Sequence, residues 1–132
     1  MATTSAPLIY VVDDDTDVLG SLRFLLETDG FDVRTFRSGS ALLGGDAATE
    51  ADCFVIDYKM PAMSGIELAN RLRNRHFDAP IILITGYPDG NIEEKAAAAG
   101  IRHVLFKPHL EDSLIGCIRA AIQKSSAAAR QP

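Results

Sequence analysis

The stretch VIDYKMPAMSG, residues 55–65, contains the signals that decide the fold of this chain. It begins inside an uninterrupted apolar run, Cys53 to Ile56, of the length and kind expected for a strand buried on both faces. The run stops at Asp57, and Ser64 followed by Glu67 is a capping box that predicts the start of a helix. A doubly buried strand followed by a helix is the repeating unit of a parallel sheet covered by helices.

The same unit recurs along the rest of the chain. Gly30 and Gly100 stand where helices are expected to stop, each just before a strand. Phe31 to Phe36 alternates apolar and charged residues, which is typical of an edge or near-edge strand. Right-handed crossovers then predict an α/β fold with a doubly wound five-stranded parallel sheet (flavodoxin-like) in a single domain. The remaining strand runs are Leu8 to Val12, Ile81 to Ile84 and Val104 to Phe106, and the first helix has an apolar stripe of Val18, Leu22, Leu25 and Leu26.

Composition excludes several classes of protein. The chain has 132 residues, of which 47% are apolar and 23% are charged, as expected for one globular domain. Its formal charge of −5 argues against direct binding of nucleic acid. No apolar run is long enough to cross a membrane, and residues 1–7 lack a secretory signal, so we expect a cytoplasmic protein with reduced thiols at Cys53 and Cys117. We place the domain at residues 7–124, between a flexible tail at 1–6 and a flexible tail or start of a linker at 125–132.

Polar residues of one chemistry follow four of the predicted strands: Asp13 and Asp14, then Asp57, Thr85 and Lys107. Because the carboxyl ends of parallel strands share one edge of the sheet, we expect these side chains to converge. Crowded carboxylates raise one another's pKa values, and a hard divalent cation such as Mg²⁺ would offset their charge. A hydroxyl and an ammonium would then stabilise a phosphoryl group on a carboxylate.

Each of these residues also has an ordinary structural interpretation. The aspartates could simply cap the first helix, an interpretation we accept for Asp15 and Asp17 and consider equally good for Asp13 and Asp14 taken alone. Four such coincidences at four strand ends are less plausible than one site. The proline after Lys107 adds weight, since a cis bond there would turn the lysine inward.

The segments VVDDD, VIDYKMPAMSG, ILITG and FKP together resemble the receiver domain of two-component response regulators, over roughly residues 7–124. The sequence motif around Asp57, together with Thr85-Gly86, is most similar to that of receivers fused to helix-turn-helix DNA-binding domains. The resemblance implies that Asp57 accepts the phosphoryl group, with Thr85 and Lys107 contacting it. It also implies that Mg²⁺ or Mn²⁺ is held by Asp13, Asp14, Asp57 and the main-chain carbonyl of Lys59, although a shift of the acidic pair to Asp14 and Asp15 is an alternative.

The family's partners follow from the same resemblance. A histidine kinase or phosphotransfer protein would supply the phosphoryl group, and an output partner or a second copy of the chain would bind residues 91–106. The family often has an aromatic switch residue three positions before the lysine, where this sequence has Val104, so we expect a loop and helix shift without an aromatic rotamer change. We also expect Lys59 and Tyr87 to tune the lifetime of the aspartyl phosphate, since each lies two residues beyond a site residue.

Three other functions agree less well with the residues at the strand ends. An aspartate-nucleophile phosphatase or phosphotransferase commonly has a second acid two residues after the nucleophile, where this chain has Lys59. A phosphorylation-independent adaptor receiver would lack some of the site residues, and all are present. A flavin carrier would need a loop of small polar residues after the first strand, where the acidic run beginning at Asp13 would repel a phosphate. We expect the protein to modify only itself rather than to act as an enzyme on an outside substrate.

Overall fold

Five strand–helix units follow one another along the chain in the computed structural model, which describes residues 6–45, 50–86, 90–107 and 111–130. The strands are β1 Leu8–Val12, β2 Asp32–Phe36, β3 Cys53–Asp57, β4 Ile81–Thr85 and β5 His103–Phe106. The helices are α1 Thr16–Thr28, α2 Gly39–Leu43, α3 Gly65–Asn74, α4 Ile92–Ala98 and α5 Glu111–Arg130.

The five strands form one parallel sheet in the order β2-β1-β3-β4-β5. Strand β2 therefore lies on one side of β1, and β3, β4 and β5 follow one another on its other side. The strand order reverses between β1 and β3, and the carboxyl ends of these two strands flank the crevice where ligands bind in such sheets. This confirms the predicted fold class and places β2 at an edge.

Two apolar layers cover the sheet, one on each face. Helices α2, α3 and α4 pack over one face, where Tyr10 lies between the rings of Phe36 and Phe54. Helices α1 and α5 pack over the other face, around Ile9, Val55 and Ile84. The central strands are apolar on both sides because both sides are covered.

Local signals set most of the helix ends. The Ser64 hydroxyl accepts a hydrogen bond from the Glu67 amide at 3.2 Å, and Gly30 and Gly100 have positive φ angles after α1 and α4, as expected at helix ends. Asn91 followed by Glu94 resembles a second capping box in the sequence, but Asn91 occupies the N-cap position of α4 without a side-chain capping bond, so the resemblance is misleading. The predicted stripe of α1 also needs correction, because Leu19 is buried with Leu22 and Leu26 while Val18 and Leu25 are only partly buried.

The last helix continues to Arg130, beyond residue 124, where we placed the end of the domain. Residues 125–130 contain serine and alanine without glycine or proline, and alanine has the highest helix propensity. The expected tail is therefore helical up to this point, although a helical linker is compatible with the predicted boundary. Residues 1–5, 131 and 132, which belong to the two predicted tails, lie outside the described residues.

Candidate functional site

Three strand ends place buried polar side chains at one edge of the sheet. Asp57 and Thr85 are the last residues of β3 and β4, and Asp13 directly follows β1. Asp13, Asp57 and Thr85 are 1%, 5% and 1% exposed, and they are the buried polar or charged residues among those the structure describes. A buried carboxylate lowers the stability of the fold unless it has a charged or hydrogen-bonding partner. Two buried carboxylates at one edge of the sheet therefore indicate a functional site.

Lys107 supplies the positive charge of the site. Its ammonium nitrogen lies 3.2 Å from Oδ1 of Asp57 and 3.3 Å from Oδ2 of Asp13, so it bridges the two buried carboxylates. The backbone helps to place it, because the Lys107 amide donates to the Thr85 carbonyl at 2.8 Å just beyond the end of β5. The lysine side chain is 29% exposed, so Lys107 lies at the border between the buried carboxylates and solvent.

The acidic residues after β1 have separate positions and partners. Oxygens of Asp13, Asp14 and Asp57 all lie within 4.8 Å of one another, with Asp14 exposed and the other two buried. Oδ1 of Asp13 accepts the Asp15 amide at 2.9 Å, while the Asp15 side chain caps α1 by accepting from the Asp17 and Val18 amides. The cluster of potential ligands therefore contains Asp14, and Asp15 acts as the helix cap, as the sequence indicated.

Burial and crowding shift the pKa values of these groups. Burial and, after it, the neighbouring negative charge of Asp13 raise the pKa of Asp57 to about 6, although the ammonium of Lys107 acts in the opposite direction. Burial also raises the pKa of Asp13. Burial alone would lower the pKa of Lys107, but the two carboxylates outweigh it, so the lysine pKa is raised and the ammonium stays charged. The site is thus strained by uncompensated negative charge near neutral pH.

The donor set fits a hard divalent cation. Three carboxylates and one ammonium leave a formal charge of two negative, and all the candidate ligand atoms are oxygens, which Mg²⁺ and Mn²⁺ prefer. A cation bound to these oxygens would offset the repulsion from Asp13 and Asp14 that adds to the effect of burial on the Asp57 pKa. The receiver domains that this sequence resembles bind Mg²⁺ in an acidic pocket of this kind.

The loop between β3 and α3 contributes features that the sequence analysis missed. A Cβ on Gly65 would overlap the Asp57 carbonyl oxygen and crowd Leu83, so only glycine lets α3 start this close to the end of β3. The Gly65 amide donates to the Tyr58 carbonyl at 2.8 Å and closes the loop, which includes Lys59 as an exposed residue. The sequence signal for this close approach was the position of Gly65 within the quoted stretch.

Comparison with known proteins agrees with this geometry. The family model described as "response regulator receiver domain" matches residues 9–119. The chain belongs to this family. Response regulator protein TodT of Pseudomonas putida is 36% identical over 118 residues, which cover 89% of this chain and 52% of TodT. The transcriptional regulatory protein FixJ of Bradyrhizobium diazoefficiens is 36% identical over 122 residues, which cover 92% of this chain and 60% of FixJ.

A solved structure shows the same fold. The response regulator receiver domain protein from Clostridium thermocellum superposes with a TM-score of 0.85 at 27% identity, over 92% of this chain and 98% of that one.

By contrast, this chain spans little more than half the length of TodT and FixJ. Within the described residues of this receiver domain, no helix is both long and apolar enough to span a membrane.

Tyr87 and Pro108 lie outside the described residues, so neither the expected role of Tyr87 nor the geometry of the bond after Lys107 is described.

Val104 lies in β5 beside Leu83 of β4 and packs against the core under α4. The position where the family often has an aromatic switch is therefore filled by a small, partly buried aliphatic side chain.

Proposed function

We propose that this receiver domain accepts a phosphoryl group on Asp57 from the phosphohistidine of a histidine kinase or phosphotransfer protein. The observation that carries the proposal is the position of the Asp57 carboxylate at the end of β3, 3.2 Å from the Lys107 ammonium and inside a cluster of three carboxylates. One carboxylate in such a cluster can act as nucleophile while the others hold a cation.

The roles of the residues follow from their chemistry. An Asp57 oxygen forms a bond to phosphorus, the phosphorus–nitrogen bond of the donor breaks, and the donor imidazole keeps that electron pair and takes a proton from water. A cation bound by Asp13, Asp14 and Asp57, with the Lys59 carbonyl, would neutralise charge on the phosphoryl oxygens. Lys107 pairs with one of these oxygens, and the Thr85 hydroxyl donates to another.

We propose that the phosphorylated domain signals through the surface formed by residues 91–106. Thr85 is followed directly by the segment that leads into α4, and β5 pairs with β4 beside it, so movement of Thr85 toward the phosphoryl group would reach both elements. Because Val104 is short and β-branched, the shift involves the loop and helix without an aromatic swing. The occupant of this surface is an output domain or a second copy of the chain.

The wider context is also a proposal. TodT and FixJ are named as regulators and extend well beyond the matched region, which suggests that this domain controls an output module and acts in the cytoplasm. The formal charge of −5 suggests that any contact with DNA is made by such a module rather than by this domain. Lys59, exposed beside Asp57, is in a position to tune how long the phosphoryl group lasts.

Incubation with acetyl phosphate and magnesium tests the phosphoacceptor. Intact-mass analysis should show one added phosphoryl group on the wild type, no addition to Asp57→Asn, and normal addition to Asp32→Asn, a matched exposed aspartate on β2. An equal adduct on Asp57→Asn would contradict the assignment. If the wild type takes up no phosphoryl group yet binds its output partner, the chain is instead a phosphorylation-independent adaptor.

Hydrogen exchange tests the output surface. Phosphorylation should change amide protection in residues 91–106 while leaving the outer strand β2 unchanged. Changes confined to α1 would place the output surface elsewhere.

A further inference from the structure

The loop from Tyr58 to Ser64 contains a strained turn next to the phosphoacceptor. Ala62 has a φ of 68°, and the Met63 amide donates to the Pro61 carbonyl at 2.7 Å. Together these describe a γ-turn with positive φ at its centre, a conformation that L-residues adopt rarely and at a cost. His76 is the other described non-glycine residue with positive φ, but it lies just after α3, where such a conformation is common.

Met63, the residue after Ala62, has its side chain in the core rather than in solvent. Its side chain packs into the core under α2 and α3, and its sulfur lies 2.7 Å from where a Cβ on Gly39 would stand. Leu68 of α3 reaches the same point at 3.4 Å. The side chain therefore fills a slot between the first residue of α2 and the second turn of α3, and glycine at position 39 is what leaves the slot open.

The loop is fixed at its other end by glycine and the main chain. Gly65 abuts the Asp57 carbonyl and donates its amide to Tyr58. The segment that includes Lys59 is thus held between the phosphoacceptor and the Met63 slot, with Pro61 and Ala62 exposed at its tip. A short loop held at both ends has few ways to relax while its anchor stays in place.

We propose that Met63 is a positioning residue for the phosphorylation site. By filling the slot between Gly39 and Leu68 it keeps Ala62 in the strained turn and so presets the main chain between Asp57 and Gly65, including the Lys59 carbonyl, for the bound cation. This inference rests on the proposed function of Asp57. Met63 itself does not touch the reacting atoms.

Truncating Met63 tests the proposal. In Met63→Ala the Gly65 amide of the metal-free protein should exchange about tenfold faster, and the magnesium concentration that gives half the maximal phosphorylation rate should rise about fivefold or more. Met63→Leu refills the slot and should stay within about twofold of the wild type in both measurements. Ile122→Ala, which truncates a partly buried side chain over the opposite face of the sheet, controls for lost stability and should change neither.

A second variant disturbs the anchor from outside the loop. Gly39→Ala places a methyl group against the Met63 sulfur, so it should speed exchange at Gly65 in the same way as Met63→Ala. Exchange at Gly65 that matches Ile122→Ala in both variants would overturn the role of Met63.

Removing the strain separates positioning from packing. Glycine adopts positive φ without cost, so in an Ala62→Gly background Met63→Ala should raise the half-saturating magnesium concentration by no more than about twofold. An undiminished effect there would mean that Met63 does not act through the turn. If the wild type is phosphorylated on Asp57 but the variants do not behave as expected, only the role of Met63 is overturned. If the wild type is not phosphorylated on Asp57, the proposed function is overturned as well.

Discussion

Replacing Asp57 by asparagine should stabilise the metal-free protein, although it removes the proposed phosphoacceptor. The carboxylate at position 57 is 5% exposed and lies within 4.8 Å of the Asp13 and Asp14 oxygens. An asparagine has nearly the same shape and the charge of the protonated acid. It therefore retains the packing at the end of β3 and removes one negative charge from the cluster.

The size of the effect follows from the raised pKa. The Asp57 pKa rises from an ordinary value of 3.8 to about 6, roughly two units, which corresponds to about 3 kcal/mol of unfavourable ionisation in the folded state. Some of this is lost because the buried amide group needs its own hydrogen-bond partners, so we expect a gain in unfolding free energy of about 2 kcal/mol near neutral pH.

The gain should depend on pH in a defined direction. Because the folded-state pKa is raised, the folded protein binds a proton at Asp57 more tightly than the unfolded chain does. The wild type therefore loses stability as the pH rises from about 4 to about 6, and the full cost is present above that range. The advantage of Asp57→Asn should be largest near pH 7.5 and nearly absent at about pH 4.

Urea unfolding followed by circular dichroism in the presence of a chelator measures this difference. Asp32→Asn, an exposed aspartate on β2, is the matched control and should change stability little at either pH. If Asp57→Asn were no more stable than Asp32→Asn near pH 7.5, or if its advantage persisted unchanged at about pH 4, the electrostatic reasoning would be refuted. Magnesium should stabilise the wild type and close part of the gap.

Three further substitutions test other parts of the structure. Asp14→Ala should raise the metal-free melting temperature and abolish stabilisation by magnesium; a wild-type response to magnesium would contradict its assignment as a ligand. Gly65→Ala should lower the unfolding free energy measured in urea by about 2 kcal/mol or more, because its Cβ overlaps main chain at the end of β3. Gly20→Ala, which has open space around it in α1, should instead raise the unfolding free energy by about 0.5–1 kcal/mol. Arg73→Lys should lower the unfolding free energy by about 1–3 kcal/mol, since one ammonium cannot replace three guanidinium bonds to the carbonyls of residues 77, 79 and 100, and an unchanged value would show that these bonds contribute little.

The fold class and the polar strand ends could be predicted because they depend on local pattern. Each apolar run is followed by a helix signal, and in a doubly wound sheet this alternation brings the carboxyl ends of β1, β3, β4 and β5 to one edge. Asp57, Thr85 and Lys107 could therefore be assigned to one edge without knowing a single distance. Leu22 and Leu26 of α1 were predicted to face the sheet and are buried, but the choice between Val18 and Leu19 could not be predicted, because both are apolar and only tertiary packing selects Leu19.

The sequence by itself determined the fold class, the order of the elements and the set of residues that meet beyond the sheet, because period and spacing are properties of the chain. Only the tertiary structure decided that Asp13 and Asp57 are buried while Asp14 is exposed, and that one lysine bridges the two buried carboxylates. It also decided that Met63 fills a slot opened by Gly39, two residues that no local pattern connects. Such contacts depend on how helices and strands distant in sequence pack together, and this packing sets the distances and the burial on which the chemistry of the site depends.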